Sequence, residues 1–266
     1  MPGTAADVIR RFWEIQNAQR YTELVPLFAD DVVFCDPLYG RLDGRAALTD
    51  FMGEMERVVP QTGAAFDLVD FDGDDTCAWS RWVMRTTGGA LAGQSLYRVR
   101  NGRITFDADY FDTVSYRRLR GAEAGEPDMG RAAGASAGQP GTGGGSAETL
   151  VRRFWSLQEG GQYGALADLF ADDALFEDVI YGRFEGRAAI TDYLRRMETE
   201  MPGQSIRFEL VDVCGGDSTA WSQWIAHMGD RGALPGWTLH RVQDGKFTLD
   251  ADYFDTALAA TLQAPA

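Results

Sequence analysis

The 266-residue sequence is short of positive charge, of histidine and of cysteine. Lys and Arg number 25 against 40 Asp and Glu, a formal net charge of -15. That balance speaks against nucleic acid, whose phosphates need a positive footprint, and against anionic membrane surfaces. No apolar run is long enough to span a bilayer. The opening "MPGTAADVIRRFWEIQ" has no uninterrupted apolar stretch of signal-peptide type. The expectation is a cytoplasmic protein with no membrane and no nucleic-acid partner. Two histidines, His227 and His240, leave no histidine-rich metal site. The three cysteines, Cys35, Cys77 and Cys214, fit a reducing compartment and read as buried or incidental thiols. No G-x-S-x-G elbow and no paired Cys–His pattern occurs. The one glycine cluster, "GTGGG", follows no strand and is not a phosphate loop. No cofactor and no metal is expected.

What the chain does have is a second copy of itself. "VIRRFW" at Val8–Trp13 returns as "LVRRFW" at Leu150–Trp155, an offset of 142. "LFADD" returns at the same offset, "YGRLDGRAALTDF" as "YGRFEGRAAITDY" and "AWSRW" as "AWSQW". "DADYFDT" at Asp107–Thr113 returns unchanged at Asp250–Thr256, offset 143, so one residue is inserted before it, near Arg231 in a hairpin turn. The period is far too long for a solenoid. The cysteines fall at non-equivalent places, their repeat partners being Glu177, Thr219 and Asp72. No shared disulfide or metal site follows. The stretch from Gly121 to Glu148 has no aromatic residue and no Val, Ile or Leu, the composition of a flexible tether. The expected domains are residues 1–118 and 148–266, joined by a linker over 119–147.

Within one copy, Asp7–Gln19 carries apolar residues at helical spacing, and Thr22–Phe28 fits a short second helix. "DVVFCDP" reads as a strand stopped by Pro37, "YGRLDG" as a loop, and "RAALTDFMGEMERVV" as an amphipathic helix. Alternating runs follow at Ala64–Asp72, Thr76–Thr86 and Ala90–Arg98. A hairpin turn at Asn101–Arg103 leads to a last strand from Ile104 to about Ser115. The order is ααβαββββ, an α+β unit with helices on one face of a curved antiparallel sheet.

That order, with the run "LFADDVVFCDPLYGRLDGRAAL", resembles the nuclear transport factor 2-like superfamily, most of all its ketosteroid isomerases and SnoaL-like polyketide cyclases. The resemblance covers nearly all of both copies. It implies two tandem cone-shaped α+β barrel domains, each enclosing an apolar pocket for a small molecule. It also implies an intramolecular pseudo-dimer through the open sheet faces, with Trp79 and Trp221 in the contact. Fold alone does not give function, since the superfamily holds enzymes and binding modules alike.

The resemblance to the isomerases implies a general base at Asp36 in "ADDVVFCDP" and at Asp178 in "ADDALFEDV". The resemblance to the cyclases implies an acid on the last strand, at Asp109 and Asp252. Alternation places Asp107, Asp109 and Phe111 on one face and Ala108, Tyr110 and Asp112 on the other. Two acids and an aromatic make a poor core face and a suitable pocket wall, while Asp112 and Asp255 are expected to be exposed. Paired carboxylates in an apolar pocket drift apart in pKa, so that one can hold a proton while the other accepts one. The isomerases' oxyanion tyrosine is Phe12 and Phe154 here, and their second donor is Ser95 and Thr238. Tyr97 and His240, two residues on, remain as donors. Substrate contacts are expected from Ser95, Tyr97, Trp82, Phe111, Thr238, Trp224 and Phe254. Trp13 and Trp155 read as helix-to-sheet packing, and Arg45 and Arg187 as structural.

The expected function is a cofactor-independent isomerase or cyclase acting on an apolar, oxygenated, polyketide-like molecule. A non-catalytic binding or scaffolding module is the alternative, and epoxide opening or dehydration by the same acids a third. The second copy is the expected seat of chemistry, because His240 can trade protons near neutrality and Asp252 lies on the neighbouring strand.

Overall fold

The computed structural model describes residues 3–121, 127–130, 134, 144–200 and 206–263. Most of the expected tether lies outside them. The chain divides into two compact units, Met1–Thr142 and Gly143–Ala266.

The first unit opens with α1 (Ala5–Asn17), whose buried face is Ala5, Val8, Ile9, Phe12, Trp13 and Ile15. Thr4 and Asp7 fix its start reciprocally: Asp7 N–H donates to the Thr4 hydroxyl at 3.1 Å and Thr4 N–H to the Asp7 carboxylate at 3.3 Å. A 3₁₀ turn (Tyr21–Leu27) leads into β1 (Phe28–Asp36), β2 (Gly40–Asp43) and α2 (Gly44–Thr62). Gly63, at φ 67, ends α2 in the left-handed conformation that glycine adopts without strain. Then come β3 (Ala65–Gly73), β4 (Cys77–Thr86), β5 (Gly89–Arg100), β6 (Arg103–Phe111) and α3 (Thr113–Arg120). Asn101 and Gly102 turn the β5–β6 hairpin with φ of 54 and 69, the two left-handed residues that a tight hairpin needs.

The six strands stand in the order β2-β1-β6-β5-β4-β3. β1 and β6 run parallel and every other neighbouring pair antiparallel. The α+β class holds, but the sheet is open rather than a closed barrel, and mixed rather than antiparallel throughout. "YGRLDG", expected as a loop, contains β2. The last strand ends at Phe111, four residues early, because Asp112 caps α3 by accepting from Ser115 N–H at 2.8 Å.

The second unit repeats these elements: helix Ser146–Glu159, β7 (Phe170–Asp178), β8 (Gly182–Glu185), helix Gly186–Glu200, β9 (Arg207–Gly215), β10 (Thr219–His227), β11 (Ala233–Gln243), β12 (Lys246–Phe254) and helix Thr256–Gln263. Its sheet has the same order, β8-β7-β12-β11-β10-β9. The extra residue sits in the β10–β11 connection: Arg85 pairs with Ala90 across four residues, and its counterpart His227 with Ala233 across five. Asp255, expected to be exposed, is buried at 3 %, and its carboxylate accepts from Leu258 N–H at 2.6 Å at the start of the last helix. No helix among the described residues is long and apolar enough to cross a membrane.

Candidate functional site

Each unit holds a cavity between its helices and its sheet. In the first its volume is about 490 Å³, in the second about 150 Å³. Asp36, Asp109, Trp82, Ser95 and Phe111 line the first. Asp178, Asp252, Trp224 and Phe254 line the second. The rest of both walls is mainly aromatic and aliphatic.

The strand register brings the carboxylates together. β7 and β12 run parallel with Asp178 beside Asp252. In the first unit Cys35 stands beside Ala108, so the next residues, Asp36 and Asp109, are neighbours by the same pairing. Adjacent strands lie about 4.8 Å apart, close enough for one charge to oppose the other. Burial and then the Asp36 charge push Asp109 up to about 7, against the Ser95 hydrogen bond. Burial, then Asp250 and Asp178, hold Asp252 well above the usual carboxylate range. Asp36 and Asp178 are also raised by burial, but two backbone N–H groups oppose the shift in each. Those bonds run from Leu38 (2.6 Å) and Tyr39 (3.0 Å) to Asp36 Oδ1, and from Ile180 (2.7 Å) and Tyr181 (2.8 Å) to Asp178 Oδ1. Each acid thus caps a turn and faces a cavity at once. The turn is the mouth: Tyr39 and Tyr181 line the cavities yet are 55 % and 60 % exposed.

A relay that recurs in both units fixes the other acid. Trp82 Nε1–H donates to Ser95 Oγ at 2.9 Å, and Ser95 donates to Asp109 Oδ1 at 2.5 Å. Trp224 donates to Thr238 at 2.9 Å, and Thr238 to Asp252 Oδ1 at 2.5 Å. Each hydroxyl hydrogen is spent on the carboxylate, so neither Ser95 nor Thr238 is left to donate to a ligand, and Thr238 is absent from the cavity wall. Because Oδ1 already receives a hydrogen, a proton on Asp109 must reside on Oδ2.

The indole of each relay lies against a glycine. A Cβ built on Gly93 or Gly236 would meet the ring of Trp82 or Trp224 at 2.3 Å. Gly93→Ala therefore has to displace Trp82. Overpacking of this kind costs roughly 1–3 kcal/mol, and thermal unfolding of the variant is expected to show it together with loss of the Trp82–Ser95 bond. An unchanged melting temperature would show that the ring moves freely.

Other expected residues lie deeper. Tyr97 is fully buried and bonded to Ser80 at 3.1 Å, away from the cavity. Asp107, opposite Tyr97 in the ladder, is likewise buried outside the wall, its carboxyl raised by burial first and Asp109 next. His240 pairs not with Asp252 but with Asp250, Nδ1 to Oδ2 at 2.9 Å, and its Nε2 meets Ser222 at 3.1 Å. The register decides this: His240 stands opposite Asp250, and Thr238 opposite Asp252. His240 is fully buried and does not line the cavity. His227 is at the sheet margin with Glu209. Trp13 and Trp155, expected as packing alone, belong to the walls. Arg45 and Arg187 form ion pairs with Asp30 and Asp172 and are not among the residues that line the cavities. Among the described residues no group of three or more His, Cys, Asp or Glu is arranged to hold a metal.

The sequence profile of the SnoaL-like domain matches residues 9–106 and 151–249, one match in each unit. No protein of curated function matches the chain. Among solved structures, a nuclear transport factor 2-like protein of unknown function from Mesorhizobium loti is 26 % identical, with 41 % of this chain and 91 % of that one covered and a TM-score of 0.37. A candidate polyketide cyclase from Xanthomonas campestris is 24 % identical, with 44 % and 97 % covered and a TM-score of 0.37. A candidate ketosteroid isomerase from Kribbella flavida is 24 % identical, with 46 % and 82 % covered and a TM-score of 0.36.

Proposed function

The chain belongs to the SnoaL-like domain family through both of its units, and from that premise we propose that it is a cofactor-independent isomerase or cyclase working by general acid–base catalysis. The substrate is an apolar molecule with a carbonyl, of polyketide type. The observation that carries the proposal is a pair of carboxyls facing one apolar cavity, with only one of them tied by a tryptophan-held hydroxyl. Asp36 is the base: its free oxygen takes a proton from carbon beside the carbonyl. Asp109, protonated on Oδ2, returns a proton to the oxygen or to a second carbon. The two acids exchange protonation over the cycle, and nothing else is consumed.

We place the chemistry in the first unit, against the expectation from His240. Its cavity is the larger. Ile206 and Met228 in the second wall stand where Ala64 and Thr86 stand in the first.

The test is exchange of the α-protons of 2-tetralone in D₂O, followed by proton NMR. Enzyme-accelerated exchange that disappears in Asp36→Asn supports the proposal. Binding of 2-tetralone without acceleration contradicts it and favours the binding-module reading, to which the spent hydroxyls of Ser95 and Thr238 already lend support.

We also carry forward pairing of the two units through their open sheet faces. Strand alternation puts Trp79 and Leu96 in one unit, and Trp221 and Leu239 in the other, on the face opposite the cavity. Such apolar rows have the composition of an interface core. Protease cleavage in the tether is expected to leave the halves together on a sizing column, and separation without denaturant would refute pairing.

A further inference from the structure

The two cavities differ in the donors that their walls leave without a partner. Trp13 and Trp155 are equivalent, and each lines its cavity. Trp155 gives its Nε1–H to Ser222 at 3.1 Å, and Ser222 is joined to His240. In the first unit Ser80 holds the place of Ser222 and bonds to Tyr97, the counterpart of His240, but no bond from Trp13 reaches it. The Trp13 indole N–H is left with no partner among the described residues, although Trp13 is only 4 % exposed. The hydroxyl of Tyr21, a second wall residue at 3 % exposure, is unpartnered as well. Tyr163, its equivalent, is not in the wall of the second cavity.

Buried donors are nearly always satisfied, and two orphans in one cavity wall are what a bound acceptor would satisfy. Neither needs to ionise: burial pushes Tyr21 up to about 12, so it remains a donor. Tyr21 stands apart from the acids. Tyr39, on the turn that Asp36 caps, packs on Phe51 of α2 with ring centroids 5.0 Å apart. Thr22, beside Tyr21, bonds to Glu56, its N–H at 2.7 Å and its hydroxyl at 2.6 Å. Five residues of helix separate the two places, about 7 Å along the axis.

We propose that Trp13 and Tyr21 form a second polar subsite in the first cavity, which receives an acceptor oxygen at the end of the ligand away from the Asp36–Asp109 pair. The ligand class is then a flat apolar ring system with oxygens at both ends, and only the first unit selects it. This rests on the reading that the first cavity binds a small molecule, and not on its turning one over.

The experiment uses the full chain with two probes, 2-tetralone and 6-hydroxy-2-tetralone, the second carrying an oxygen at the far end of the same bicycle. In ¹⁵N-labelled protein the Trp13 indole N–H signal is expected to move when 6-hydroxy-2-tetralone is added, and the Trp155 signal to stay. Tyr21→Phe, which removes only the hydroxyl, is expected to weaken binding of 6-hydroxy-2-tetralone about fivefold, the usual worth of one hydrogen bond, and that of 2-tetralone by less than twofold. Trp13→Phe should do the same and assigns the signal. A stationary Trp13 signal at saturation, equal losses for both probes, or no binding of 6-hydroxy-2-tetralone overturns the proposal. A protein that moves the Trp13 signal but does not accelerate exchange leaves the subsite standing and defeats only the catalytic reading.

Discussion

Asp109→Asn is expected to melt higher than the wild type at pH 8 and at nearly the same temperature at pH 4. Asp109 titrates at about 7 in the folded protein, raised from 3.8. An acid whose folded pKa is raised binds its proton more tightly folded than unfolded, so stability is highest when both states are protonated. It falls as pH climbs from about 4 to about 7, because the unfolded chain ionises first. At 1.36 kcal/mol per pKa unit the cost above pH 7 is at most about 4 kcal/mol. Water in the cavity reduces it. Asparagine keeps an acceptor for the Ser95 hydroxyl and carries no charge, so it removes the cost at high pH and little else. Half the upper figure corresponds to a rise of roughly 5–10 °C for a unit of this size. Calorimetry at the two pH values reads it directly. A fall at both pH values would make Asp109 a structural acid.

The second large effect is on turnover. Asp36→Asn and Asp109→Asn are each expected to slow α-proton exchange of 2-tetralone by about 10²–10⁴-fold, the usual contribution of one acid or base. Asp36 must be ionised and Asp109 protonated, so the wild-type rate should rise as Asp36 loses its proton and fall as pH passes about 7. Asp109→Asn should abolish that alkaline fall along with most of the rate. Asp178→Asn, Asp252→Asn and His240→Gln are expected to leave most of the rate in place. Loss confined to those three would return the chemistry to the second unit.

The duplication was legible letter by letter, and the helices and alternating strands followed from periodicity. β2 was not, because "YGRLDG" carries glycines at both ends and only four residues between its turns. The sheet's parallel pair was out of reach too: β1 and β6 are 66 residues apart in sequence, and only register in space joins Phe28 to Ile104. Alternation placed Asp109 and Asp252 on the inner face correctly, yet it could not tell which inner residues reach a cavity and which lie beneath it. Asp107, Tyr97, Asp250 and His240 share that face and are packed away from the wall. The Trp–hydroxyl–Asp relay left a signal, Gly-x-Ser at 93–95 and Gly-x-Thr at 236–238, each opposite a repeated tryptophan. Its meaning depends on a glycine on one strand making room for an indole on the next, which a single strand's pattern does not reveal.

On this mechanism two carboxyls in the first cavity share one proton near neutrality. ¹³C NMR of the Asp109 side-chain carboxyl, labelled through aspartate and assigned with Asp109→Asn, measures this during a titration from pH 3 to pH 9. The expected midpoint is about 7, moving down in Asp36→Asn because the opposing charge is gone. A midpoint near 4, the same with and without Asp36, would contradict it.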